Sequence, residues 1–149
     1  MGIMQQKGNG LKGFTLIEIM VVIIMIGILA SIAFPMYLNH AKKAKMTDVI
    51  MTVKAIANYL SEQQMSGKNI ANLDADDVME KLGLKDRFFN ISLENNGNKI
   101  VATAKEEFSS SERGYEFSYT YSSSNPDDIK FEDERGNLLE QYADYIPQD

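Results

Sequence analysis

The chain has 149 residues, enough for one modest domain, and it carries a formal net charge of -6 and no cysteine. The lack of cysteine excludes disulfides and thiolate metal sites, and the acidic balance argues against nucleic-acid binding, which needs lysine and arginine for phosphate contacts. The sequence has no Ser-His-Asp arrangement, glycine-rich phosphate loop or histidine cluster, so we expect neither an enzyme nor a metal or cofactor site.

An apolar run near the N-terminus is the most informative segment. It extends for 21 residues from Phe14 to Phe34, and Glu18 is its only charged residue. A helix needs about 20 apolar residues to cross a bilayer, so the length predicts a transmembrane helix over residues 14–34. An ionisable group inside a membrane costs roughly 2.5–3.5 kcal/mol on insertion scales, which makes Glu18 a candidate functional residue.

The residues on either side of this apolar run help to decide whether it is a cleaved signal or a retained anchor. Residues 1–13 carry Lys7 and Lys12 and no acidic residue. A secretory signal has an apolar core of only about 7–15 residues, so the longer run here favours a retained anchor. Lysines also follow the run at positions 42, 43 and 45. Counting positive charges therefore does not decide which end faces the cytoplasm.

The order Lys12-Gly13-Phe14-Thr15-Leu16-Ile17-Glu18 resembles the class III signal of bacterial type IV pilin precursors and type II secretion pseudopilins. The similarity continues through Gly27-Ile28-Leu29-Ala30 to Ile32-Ala33-Phe34-Pro35-Met36-Tyr37 and covers roughly the first third of the chain. The resemblance implies a prepilin peptidase that cuts between Gly13 and Phe14 on the cytoplasmic side. The same enzyme would then N-methylate Phe14, and residues 1–13 would be a cleaved leader.

The resemblance also implies where the chain resides and what it assembles with. The precursor would be a single-pass protein of the bacterial inner membrane, with its C-terminal domain facing outward. An assembly ATPase and an inner-membrane platform protein would then build it into a homo-oligomeric filament, at the cell surface or in the periplasm.

Glu18 has two candidate partners once the leader is removed, because the helix would then begin with a charged α-amine at Phe14. Residues four apart share a helix face, and a carboxylate near a helix N-terminus is favoured by the dipole, so the two groups of one chain can pair. A buried charge without a partner is strongly unfavourable. Pairing with the amine of a neighbouring subunit would therefore fix the register between helices, and the resemblance favours this second arrangement.

Pro35 interrupts the helical pattern, since proline inside a helix removes a hydrogen bond and produces a kink. The helix either ends there or continues with a bend, and we favour the bend because an amphipathic pattern resumes over residues 35–64. Apolar residues recur in that segment at spacings of three and four: Met46, Val49, Ile50, Val53, Ile56, Ala57 and Leu60.

Residues 65–149 are predicted to form a small globular α+β domain. A short helix is expected from Ala75 to Leu82, with Asp74 as its N-cap, Asp77 in a capping box and Gly83 at its end. Alternation at period two then predicts three or four antiparallel strands, packed on the second half of the long helix. The strand signals are Ile91 and Leu93, the turn Asn95-Asn96-Gly97-Asn98, residues 99–104, the alternating Tyr115, Phe117, Tyr119 and Tyr121, and finally Ile129 and Phe131.

The fold expected is therefore a pilin-like α+β fold, and the function favoured is a structural subunit of a surface pilus. A type II secretion pseudopilin is the alternative within the family. A signal-anchored extracytoplasmic binding module, using the aromatic strand for a glycan or a protein, is the alternative from another class. Type IV pilins often close their C-terminal region with a disulfide, and this chain departs from that pattern. An acidic cluster remains open as a calcium site: Asp127, Asp128, Glu132, Asp133 and Glu134.

Overall fold

The computed structural model describes residues 13–85, 87–120 and 130–143. Three helices and four strands occur in these residues: α1 (Leu16–Met65), α2 (Ala75–Leu82), β1 (Phe89–Glu94), β2 (Lys99–Ala104), β3 (Glu116–Thr120), β4 (Lys130–Arg135) and α3 (Leu138–Gln141). The chain divides into two units, one ending at Leu38 and one beginning at Asn39, and α1 contributes to both. The predicted α+β class, a long N-terminal helix packed on an antiparallel sheet, is confirmed.

Helix α1 continues through Pro35, so the helix does not end there. In the second unit its predicted apolar stripe is buried against the sheet, with Met46, Val53, Ile56 and Leu60 fully inaccessible to solvent. All seven residues of the stripe belong to the core. Burying one such side chain is worth about 1.5–3 kcal/mol, so this face of α1 is a main source of stability for the second unit.

Helix α2 has the predicted bounds and the predicted caps. Asp74 Oδ1 accepts a hydrogen bond from the Asp76 N–H at 2.8 Å, so the cap bond goes to Asp76 rather than forming a reciprocal box with Asp77. Gly83 ends the helix with a left-handed φ of 66°, a conformation that glycine adopts without steric cost. Ala75, Val78 and Met79 face the core.

The four strands form one antiparallel sheet in the order β1-β2-β3-β4. The turn between β1 and β2 lies where the asparagines and glycine predict it, and Asn95, Asn96 and Gly97 have positive φ angles of 49°, 56° and 84°. Phe117 and Tyr119 on β3 are buried in the core. The aromatic alternation therefore reflects packing, which removes two of the side chains that a glycan-binding strand would need; Tyr121 and Ile129 lie outside the described residues.

Candidate processing and assembly site

Gly13, Phe14 and Thr15 precede the first helical residue and are not helical themselves. The Phe14 side chain is 82% exposed. A Cβ built on Gly13 meets no atom of the described residues within 4 Å. The peptide bond between Gly13 and Phe14 thus lies in an exposed, non-helical stretch just before α1, which is the state that a protease needs in a substrate.

Thr15 and Glu18 form a capping box at the start of α1. Glu18 Oε2 accepts two hydrogen bonds from Thr15, one from its backbone N–H at 2.7 Å and one from Oγ1 at 2.7 Å. Thr15 Oγ1 also lies 3.3 Å from the Glu18 N–H. The threonine therefore caps the helix and the glutamate reaches back to the cap, the reciprocal arrangement that satisfies otherwise unpaired donors of a first helical turn.

This geometry leaves one carboxylate oxygen of Glu18 available. Both Thr15 contacts go to Oε2, and among residues 13–85, 87–120 and 130–143 no donor reaches Oε1. Thr15 was not singled out from the sequence, although a threonine three residues before a glutamate at the start of an apolar run is the signature of a capping box. The spacing of Thr15 and Glu18 alone therefore predicts that these two residues bond to each other.

The described residues of the first unit are exposed and mostly apolar. Every described residue from Gly13 to His40 is exposed, and large apolar side chains account for most of them. In the described part of the chain, α1 is the one helix long and apolar enough to cross a membrane. Ser31 Oγ donates to the Ile28 carbonyl at 2.7 Å, so this hydroxyl is satisfied within the helix, as hydrocarbon surroundings require.

The other candidate residues do not join this site. Pro35 lies within α1 and His40 is exposed in the second unit. Two of the three described residues of the acidic cluster have partners of their own: Glu134 Oε1 pairs with Lys99 Nζ at 2.6 Å, and Asp133 Oδ1 accepts from the Leu139 N–H at 3.0 Å. Asp127 and Asp128 lie outside the described residues.

Comparison with known proteins identifies the N-terminal segment. Residues 9–34 match the prokaryotic N-terminal methylation motif. The chain is type IV pilin-like. It is 39% identical over 61 residues to a fimbrial protein of Pseudomonas aeruginosa, covering 41% of this chain and 40% of that protein.

Two further relatives agree. A type IV major alpha-pilin of Moraxella bovis is 38% identical over 77 residues, covering 51% of this chain and 48% of the relative. The prepilin peptidase-dependent protein D of Escherichia coli K12 is 54% identical over 41 residues, covering 28% of each. The pilin-like chain thus spans under half the length of each of these three curated relatives, and its resemblance to the type IV pilin family is confirmed on that segment.

Proposed function

We propose that the chain is the precursor of a structural subunit of a type IV pilus. A prepilin peptidase cuts between Gly13 and Phe14, removes residues 1–13 and N-methylates Phe14, and the product then polymerises. The observation that carries the proposal is the match of residues 9–34 to the methylation motif, which includes that bond. The name of the Escherichia coli relative, a prepilin peptidase-dependent protein, supports the same processing.

The exposed apolar side chains of the first unit support a proposal that α1 lies first in a bilayer and then in a filament. A helix that is apolar all round is stable in a bilayer or inside a bundle and not in water. The precursor therefore waits in the inner membrane as a single-pass protein, with the second unit outward. An assembly ATPase and a platform protein then transfer it to a filament, where copies of the same helix replace the lipid.

Glu18 is the residue on which assembly depends. Thr15 holds Oε2, and the α-amine of Phe14 in a neighbouring subunit supplies a donor to Oε1. A carboxylate and an amine removed from water must meet in good geometry, because either one left unpaired in the filament core is strongly unfavourable. The pair therefore selects one axial register between subunits, and Pro35 provides the kink that lets α1 fit the bundle.

A pilus is favoured over a secretion pseudopilus because the relatives in Pseudomonas aeruginosa and Moraxella bovis carry the names of a fimbrial protein and a pilin. Electron microscopy of cells that lack type II secretion genes separates the two. We expect surface filaments containing this chain in such cells, and their absence there with restoration by the secretion genes would contradict the pilus assignment.

Intact-mass measurement of the protein extracted from membranes tests the processing step. We expect the loss of residues 1–13 and the gain of one methyl group. In a Gly13→Ala variant the full precursor is expected to accumulate, because a Cβ at this position meets no atom of the described residues within 4 Å and so blocks the peptidase rather than the fold. Gly27→Ala is the matched control, since a Cβ there also meets nothing within 4 Å, and it is expected to be cut normally. A parent protein that retains its leader would overturn the proposal.

A further inference from the structure

The segment that follows β4 is packed on the core although its own helix is very short. Helix α3 has only four residues, and isolated helices shorter than about 12–15 residues are marginal in water. The chain has no cysteine, so no disulfide holds this part to the core. Leu138 is fully buried and Tyr142 is 7% exposed. We call residues 138–143 the C-terminal segment.

A single buried carboxylate contacts both this segment and α1. Glu112 lies in the connection between β2 and β3 and is 7% exposed. Its Oε2 accepts from Lys42 Nζ at 3.0 Å, and its Oε1 accepts from Tyr142 Oη at 3.2 Å. The three side chains come from positions 42, 112 and 142, so one residue joins points that lie 70 and 30 residues away along the chain.

The electrostatics agree with an ionised, well-partnered Glu112. Burial acts to raise its pKa, but hydrogen bonds from Ser109, Lys42 and Tyr142 together with the Lys42 charge outweigh burial and leave the pKa lowered. Burial and the neighbouring Glu112 raise the pKa of Tyr142 to about 12, so its hydroxyl remains a donor at neutral pH. Lys42 from α1 and Tyr142 from the C-terminal segment are thus the titratable groups that face this carboxylate.

The connection that carries Glu112 is positioned independently of these contacts. Lys45 Nζ donates to the Glu107 carbonyl at 2.6 Å and to the Phe108 carbonyl at 3.2 Å. The Phe108 ring packs on Phe89 with centroids 4.8 Å apart and meets the Tyr142 ring edge-on at 6.0 Å. Glu112 is therefore presented by a stretch already fixed to α1 and β1, which spares the carboxylate the entropic cost of ordering its own backbone.

We infer that Lys42, Glu112 and Tyr142 form a non-covalent clasp that fastens the C-terminal segment to α1. Leu138 and Tyr142 also belong to the core, so opening the clasp loosens the hydrogen bonds of the segment without removing its apolar contacts. We expect α1, α2 and the sheet to remain folded. The clasp is independent of whether the chain forms filaments.

Hydrogen–deuterium exchange on the full chain in detergent tests this inference. Tyr142→Phe keeps the ring on Phe108 and removes only the hydroxyl. We expect the amide hydrogens of Gln141 and Tyr142, which are bonded to the carbonyls of Asn137 and Leu138, to exchange about tenfold faster or more. Amides of the β2–β3 ladder are expected to keep their parent rates.

A second variant and a control accompany Tyr142→Phe. Lys42→Met keeps the aliphatic stem, and its effect on the same amides is expected to be non-additive with Tyr142→Phe because both act through Glu112. Arg113→Met is the matched control: it removes an ion pair of the same connection, with Glu106 at 3.3 Å, in which both partners are exposed. We expect it to change nothing.

Two results would overturn the clasp. One is exchange at Gln141 and Tyr142 that stays within about twofold of the parent in Tyr142→Phe. The other is acceleration spread evenly over the segment and the β2–β3 ladder, which would mean that the hydroxyl supports the whole unit rather than fastening one segment.

Discussion

The two parts of α1 are one continuous helix with opposite relations to the rest of the chain. Up to His40 every described residue is exposed, although most are large and apolar. From Met46 to Leu60 seven apolar residues form one stripe that is buried in the core, while Met51 on another face is 65% exposed. Packing within the second unit therefore explains the apolar pattern of the second part. The described residues bury none of the first part, so its apolar side chains contribute little to folding there, and the proposed membrane and filament environments are what would bury them.

Because of this difference, single substitutions in the two parts of α1 are expected to affect different properties. A substitution in the buried stripe is expected to change the free energy of unfolding of the second unit. A substitution in the exposed part is expected to change membrane residence or polymerisation and to leave that free energy alone. Measuring filament yield and the free energy of unfolding for the variants below therefore tests this separation.

The largest effect is expected from Glu18→Gln. The amide oxygen of glutamine still accepts from Thr15, so the helix cap is kept and only the charge is lost. Removing one partner of a buried ion pair costs about 3–5 kcal/mol, so we expect filament yield to fall by about 100-fold or more. The thermal unfolding midpoint of the second unit should not change.

Filament counts by electron microscopy, with leader cleavage measured in parallel, check this prediction for Glu18. Glu18→Asp is the control for charge, because it keeps the carboxylate on a shorter side chain and should retain part of the assembly. Filaments at the parent level in Glu18→Gln would show that the capping geometry, and not the charge, is what the helix requires.

A matched pair of leucines tests the comparison directly. Leu60 is 0% exposed and Leu29 is 67% exposed, on the same helix. Leu60→Ala is expected to lower the free energy of unfolding by about 2–5 kcal/mol, because it removes buried methyl groups and leaves a cavity. Leu29→Ala should leave that value within about 0.5 kcal/mol of the parent, as surface substitutions do.

Chemical denaturation of the full chain in detergent measures both leucine variants. We expect Leu29→Ala to reduce filament yield while the second unit stays folded. For the same loss of unfolding free energy, Leu60→Ala should reduce filament yield less than Leu29→Ala does. Equal losses of stability in the two variants would mean that the first part of α1 also packs on its own chain, and the comparison would fail.

Much of this architecture could be predicted because its causes are local. The buried stripe of α1 follows from spacings of three and four, α2 from Asp74 and Gly83, and the hairpin from Asn95 to Gly97. These signals act within one or two turns of chain. The alternation also predicted strand β3 and the burial of Phe117 and Tyr119, but it did not predict that Ser118 between them is fully buried as well.

The contacts that could not be predicted depend on tertiary structure. Nothing near Glu112 in the sequence points to Lys42, which is 70 residues away, or to Tyr142, which is 30 residues away. Both contacts exist only once the β2–β3 connection is docked on α1. The Thr15–Glu18 box is the opposite case, since its two residues lie three apart and the contact depends on the first helical turn alone.

The smallest effect is expected from Thr15→Val, which removes the cap hydroxyl and keeps the shape of the side chain. Loss of an N-cap costs about 0.5–2 kcal/mol of helix stability, and here it also removes one of the two donors that hold Glu18 Oε2. The carboxylate keeps its charge, so filaments should still form, at a yield reduced by about tenfold or less. Thr15→Ser restores the hydroxyl and should restore the yield. A loss as complete as that of Glu18→Gln would mean that the orientation of the carboxylate, which Thr15 provides from within the chain, matters as much to assembly as the charge that pairs between chains.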